Sequence, residues 1–189
     1  MTRLTIDSLA DRGSVIPAAR SRDDFLYAVH HTAALSVILL FGDINDLPWL
    51  VRQTQDNKKR LILHIDLFEG IGKDKPGIRY LAQTGVAALI TAEPQLGKHA
   101  CEEGLFVIQR LFMTDSAAIR SGVNLLREFR PDAVEILPAL TPPAVINELA
   151  GEFAIPMLGG GLLRTAGDVA GALKSGVYAV SASRRELWS

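Results

Sequence analysis

Cysteine is nearly absent. Cys101 is the single one in 189 residues, which excludes an intramolecular disulfide and fits a reducing compartment. Aromatics are scarce at 6%, and no ring platform for stacking nucleic-acid bases stands out. Neither sign of charge dominates: 20 Lys and Arg against 21 Asp and Glu leave a net charge of -1. A global basic footprint for nucleic acid is thereby excluded, leaving room only for a local patch. Long apolar runs are missing too. The stretches 37–41 and 86–90 are far short of the roughly 20 residues that span a bilayer. Residues 1–7 lack the apolar core of a signal peptide. No close His, Cys or Asp spacing of a metal site is visible. No linker or low-complexity tract interrupts the chain. The expectation is a cytoplasmic protein, off the membrane, with no metal and one domain over residues 1–189.

What is present is aliphatic. Hydrophobic residues make up 48%, and short apolar runs recur at 15–18, 37–41, 61–67, 86–90, 105–109, 133–137, 155–158 and 177–181. Helix signals fill the gaps. Ser21 with Asp24 reads as a cap and first turn, Asp46-Leu47-Pro48 as a helix start, and Gly85 as a stop. Helices also start near Pro94, at Thr114 or Asp115, at Thr141-Pro142-Pro143 and near Thr165, and a short last one is expected over 184–188. Runs that are continuous rather than alternating fit strands buried on both faces, as in a parallel sheet. Eight strand–helix units in succession predict a compact (β/α)8 barrel of the TIM type, with a doubly wound open sheet as the alternative. About 24 residues for each unit is lean for a fold that usually runs to about 250 residues, so the loops must be short.

Ligands of such barrels sit at the C-terminal strand ends. The first strand ends at Arg20, the second at Asp43, and the fourth at Thr91. The seventh runs into Gly159-Gly160-Gly161 with Arg164 beyond, and the eighth ends Ser181-Ala182-Ser183. Glycines let a ligand approach the backbone, and a helix start near Thr165 adds free N–H groups. Gly160, Gly161, Ser181 and Ser183 therefore read as a phosphate cradle built from the last two loops.

His64 and Asp66, two apart on the third run, are expected on one strand face. With Gln109 and Glu135 they would form a polar centre, whose groups could bind ligand hydroxyls, hold a metal, do acid–base work or simply pair with one another. Arg110 could pair with a ligand anion or with Glu135. Cys101 and His30-His31 read as packing and a helix end. Lys58-Lys59-Arg60 is the basic triple, placed by strand polarity on the rim opposite the cradle.

His64-Ile65-Asp66-Leu67 with Gly70, Ile108-Gln109-Arg110-Leu111-Phe112 with Asp115-Ser116, Glu135-Ile136-Leu137-Pro138, Gly160-Gly161-Leu162-Leu163-Arg164-Thr165 and Glu186-Leu187-Trp188 together resemble the glycerol uptake operon antiterminators. So does Val15-Ile16-Pro17-Ala18-Ala19-Arg20, and the motifs run in order over nearly the whole chain. The resemblance implies a barrel-like fold and glycerol 3-phosphate as effector. It also implies regulation of glycerol-uptake genes through leader mRNA, without catalysis, by a chain that could act as a homodimer. On that reading the phosphate meets Gly160, Gly161, Ser181 and Ser183. The glycerol hydroxyls meet some of His64, Asp66, Gln109 and Glu135, with Arg110 and Arg164 adding charge. Lys58, Lys59, Arg60, Arg184 and Arg185 are the RNA candidates. The rival reading is an enzyme on the same barrel. It would transfer a prenyl group to glycerol 3-phosphate, or isomerise a phosphosugar with Asp66 or Glu135 as base.

Overall fold

The computed structural model describes residues 4–188. Eight parallel strands follow one another in chain order: β1 (Val15–Ala19), β2 (Ser36–Leu39), β3 (Arg60–His64), β4 (Ala88–Thr91), β5 (Phe106–Phe112), β6 (Ala133–Leu137), β7 (Met157–Gly160) and β8 (Ala179–Ala182). They close into a barrel in which β8 pairs with β1, Ile16 lying opposite Ser181. That closure selects the (β/α)8 barrel over the open sheet. The outer ring holds α1 (Arg22–His31), α2 (Leu47–Asp56), α3 (Lys75–Thr84), α4 (Pro94–Glu102), α5 (Ser116–Glu128), α6 (Pro143–Phe153) and α7 (Ala166–Lys174). The expected eighth helix is only a 3-10 turn, Arg185–Leu187, anchored by Trp188, whose indole N–H donates to the Ala182 carbonyl at 2.7 Å.

The strands are apolar throughout because both faces are covered. Ile16, Ile38, Ile62, Ile90, Ile108 and Leu158 pack inside the barrel. Their neighbours Val37, Leu63, Leu89, Val107 and Val134 pack outward under the helices. Each such side chain contributes about 1.5–3 kcal/mol by leaving water. Ile6, Leu9 and Ala10, around a 3-10 turn at Ile6–Ser8, join the inner cluster. The Ser36 hydroxyl holds this segment by donating to the Leu9 carbonyl at 2.6 Å. Apolar side chains thus plug the N-terminal end, and the inward polar groups are left to the C-terminal mouth.

Helix starts follow the cap chemistry. Ser21, Asp74 and Asp115 accept backbone N–H groups of their own first turns. At α2 the cap is different: Asp46 makes no side-chain cap, and Pro48 sits in the first turn. α7 starts with a reciprocal box in which Thr165 accepts from the Asp168 N–H.

Candidate functional site

Strand parity decides which side chains reach the barrel mouth. On β5, Phe106 and Ile108 face inward and Val107 faces the helices. The next inward residue is therefore Arg110, and Gln109 faces outward. By the same alternation His64 on β3, Glu135 on β6 and Ser181 on β8 point inward above Ile62, Ala133 and Ala179.

These inward groups form one chain of hydrogen bonds. Arg110 and Glu135 are register partners across β5 and β6. Nε and Nη2 of the guanidinium both lie 2.7 Å from Glu135 Oε2. Glu135 Oε1 accepts the Ser181 hydroxyl at 2.6 Å. Glu135 is fully buried, so its charge depends on these donors. Arg110 Nη1 donates to His64 Nε2. A guanidinium only donates, so Nε2 is the acceptor and the imidazole proton sits on Nδ1, for which no hydrogen-bond partner is found among the described residues. Burial first, then the Arg110 charge, push the His64 pKa down to about 4. The imidazole is neutral at neutral pH.

Gly160 owes its identity to this chain. A Cβ there would lie 2.7 Å from Glu135 Oε1 and 2.8 Å from Ser181 Oγ, closer than non-bonded atoms approach. The glycine admits the carboxylate–hydroxyl pair beneath the β7 end. Gly161 and Leu162 then turn the chain with left-handed φ of 76° and 59°. For Leu162, 75% exposed, that conformation is strained. Among the described residues no acceptor meets the backbone N–H groups of Leu162, Leu163 or Ser183.

A pocket of about 160 Å³ opens over this network. Glu135, Arg110 and Ser181 form its floor, and Gly161, Ser183 and Arg20 are among its walls. It is smaller than the roughly 300 Å³ at which drug-sized sites begin, and so suits a very small polar ligand.

Several expected site residues lie elsewhere. β3 stops at His64, and Ile65–Leu67 is a 3-10 turn, so Asp66 does not share a strand face with His64. Its carboxylate braces the β4 exit, accepting the Thr91 hydroxyl at 2.6 Å and the Ala92 N–H at 2.7 Å. Gln109 is outside the barrel, donating to the carbonyls of Thr91 and Ala92 at 3.1 and 3.0 Å. The α7 start is no open anion cradle. Asp168 accepts the N–H groups of Arg164 and Thr165 at 2.9 and 2.8 Å, which hold its carboxyl below the usual range. Arg164 itself is exposed beside the pocket rather than in it.

The RNA candidates do not form one patch. Lys58, Lys59 and Arg60 are at the N-terminal rim, away from Arg184 and Arg185. Lys59 is 9% exposed; its ammonium is spent on the carbonyls of Thr32 and Ala34 at 2.8 and 2.6 Å, and burial lowers its pKa. Arg185 is paired with Asp23 and with Asp24, the latter at 2.6 Å. Lys58, Arg60 and Arg184 are exposed. Among the described residues no group of three or more His, Cys, Asp or Glu is placed to hold a metal ion. No described helix is long and apolar enough to cross a membrane.

The fold and this pocket define a TIM-type barrel with a polar, preformed pocket at its C-terminal mouth. Residues 15–188 match the model of the glycerol-3-phosphate responsive antiterminators, and the chain belongs to that family. It is similar to the crystal structure of a glycerol uptake operon antiterminator regulatory protein from Listeria monocytogenes str. 4b F2365. The identity is 31%, the TM-score 0.86, and 93% of this chain and 94% of that one are covered. An antiterminator-related protein of Thermotoga maritima MSB8 superposes with a TM-score of 0.83 at 26% identity, over 94% of this chain and 98% of that one. The uncharacterized protein YgcP of Escherichia coli (strain K12) is 29% identical over 154 residues, 81% of this chain and 80% of its own length.

Proposed function

We propose that this protein is a cytoplasmic regulator that takes glycerol 3-phosphate as effector at the barrel mouth. In the bound state it acts on the leader mRNA of glycerol-utilisation genes to let transcription continue. The observation that carries the ligand half is the pocket over the Arg110–Glu135–Ser181 chain, walled in part by Leu162 and Ser183, whose backbone N–H groups meet no acceptor among the described residues. These donors suit a phosphate. The Ser181 oxygen, which already donates its proton, suits a ligand hydroxyl as acceptor. Gly160 makes room for the floor, while Gly161 and Ser183 belong to the wall that the ligand touches.

The RNA half follows from the family. Of the basic candidates, Arg184 is at the mouth and exposed, and we assign it and Arg164 to RNA in preference to the buried Lys59 and the paired Arg185. Two chains, each with a modest patch, would together offer a wider one, which favours a homodimer. Ligand control requires that glycerol 3-phosphate bind the RNA-competent state better than the other. A catalytic reading gains nothing from the geometry, since the fully buried Glu135 spends both oxygens on Arg110 and Ser181.

Retention of leader RNA by the purified protein, with and without glycerol 3-phosphate, tests the proposal. Tighter retention with the effector supports it. Retention indifferent to the effector contradicts ligand control, and turnover of glycerol 3-phosphate with any co-substrate would make the protein an enzyme.

A further inference from the structure

Two guanidinium groups line the pocket, and they are in opposite circumstances. Arg110 is committed: its Nε and Nη2 are on Glu135 and its Nη1 is on His64. Arg20, the residue after β1, is exposed and lines the same pocket from the opposite side. Its backbone N–H is tied to Asp24 Oδ2 at 3.4 Å, but among the described residues its guanidinium has no hydrogen bond, ion pair or ring contact. The pocket therefore has a neutralised floor, where Arg110 pairs with Glu135, and at its β8–β1 corner a guanidinium with no direct partner among the described residues. Ser183, on that same corner, offers a hydroxyl and a free N–H.

From this we infer that Arg20 is the cation that holds the ligand's anionic group, and that the ligand lies with this group at the β8–β1 corner and its uncharged end on Glu135 and Ser181. The inference rests on the effector reading above and adds to it a residue and a polarity. A guanidinium can give a phosphate two parallel hydrogen bonds that an ammonium cannot. The floor, by contrast, has its one cation, Arg110, committed to Glu135, so a second anionic group there finds no cation to spare. The site selects a short polyol with one phosphate, and rejects a molecule of similar length that has a carboxylate at the far end.

The corner is also braced. Arg185, two residues beyond Ser183, pairs with Asp23 and Asp24, three and four residues beyond Arg20, and its guanidinium lies 5.1 Å from the centre of the Tyr27 ring. This clasp fixes the β8 exit against the start of α1. It thereby fixes the distance across which Arg20 and Ser183 share an anion.

The test is calorimetric titration of wild-type, Arg20→Gln and Arg20→Lys proteins. The probes are sn-glycerol 3-phosphate, glycerol and 3-phosphoglycerate, and unfolding curves establish that the variants are folded. Because Arg20 is exposed and its side chain has no partner among the described residues, its replacement is expected to leave the fold intact. The expected result is at least a tenfold loss of glycerol 3-phosphate affinity in Arg20→Gln, partial recovery in Arg20→Lys, and weaker wild-type binding of 3-phosphoglycerate. Wild-type affinity in a folded Arg20→Gln protein overturns the assignment of Arg20 while leaving the effector reading intact. Equal wild-type affinity for the two phosphates overturns the polarity. A wild-type protein that binds neither phosphate overturns the effector reading, and this inference with it.

Discussion

Arg110 and Glu135 are register partners on adjacent strands, and one carboxylate oxygen of Glu135 accepts the Nε–H of Arg110 at 2.7 Å and pairs with its Nη2 at the same distance. Glu135 is fully buried and Arg110 nearly so at the side chain. A pair of this kind stabilises little relative to an apolar pair, but removing one member leaves the other unpaired out of water. Arg110→Met should cost about 3–5 kcal/mol at pH 7, measured by urea unfolding. A loss under about 1 kcal/mol, the range of an exposed pair, would show that the pair is solvated.

His64 makes stability depend on pH. Its folded pKa is about 4 against 6.5 for the free side chain. Above pH 6.5 the imidazole is neutral in both states and its contribution is fully present. Between 6.5 and 4 the unfolded chain binds a proton that the folded protein refuses, so stability falls, by up to about 3 kcal/mol. Below about 4 this group adds no further slope. His64→Leu should flatten the difference between unfolding curves taken at pH 7 and pH 5. An unchanged difference in the variant would contradict a neutral, Arg110-bonded imidazole.

The barrel was legible because eight continuous apolar runs, separated by cap and stop residues, have few other ways to bury both faces. Glu135, Ser181 and the glycines were legible for a related reason: polar or side-chain-free residues at an apolar strand's end are costly without a purpose. Parity was not. Ile108-Gln109-Arg110-Leu111 gives no sign of which polar residue faces inward, since both flanks are apolar, and only the packing of Phe106 and Ile108 inside the barrel, with Val107 under the helices, assigns Arg110 to the mouth and Gln109 to the helices. The end of β3 was equally hidden. Ile65 and Leu67 prolong the apolar run, while the chain has already turned so that Asp66 can brace Thr91 and Ala92. Charge alone did not show that Lys59 and Arg185 are already paired, because a basic residue looks the same in sequence whether it is free or not.

Gly160 is the position where one methyl group matters most. Gly160→Ala would put a Cβ within 2.8 Å of both Glu135 and Ser181. We expect a destabilisation of about 1–3 kcal/mol, typical of overpacking, and a loss of glycerol 3-phosphate affinity in calorimetry. Gly151→Ala is the control: nothing lies within 4 Å of the new Cβ on α6, and the change should stabilise the protein by about 0.5–1 kcal/mol. Unchanged ligand affinity in a folded Gly160→Ala protein would mean that the floor is not where the ligand sits.

Lys59→Met should separate structure from recognition. It removes the donor to the Thr32 and Ala34 carbonyls and should cost about 1–3 kcal/mol of stability. Retention of leader RNA should not change at temperatures where the variant is folded, whereas Arg184→Ala should weaken it. The opposite pattern would move the RNA surface to the N-terminal rim.

The most direct test of the account is calorimetric titration of the wild-type protein with sn-glycerol 3-phosphate, with glycerol and inorganic phosphate as controls. Saturable one-to-one binding of glycerol 3-phosphate, far tighter than either fragment, is expected, because the Arg20 corner and the Glu135–Ser181 floor each hold one end of the same molecule. Binding of glycerol 3-phosphate no tighter than inorganic phosphate would contradict it.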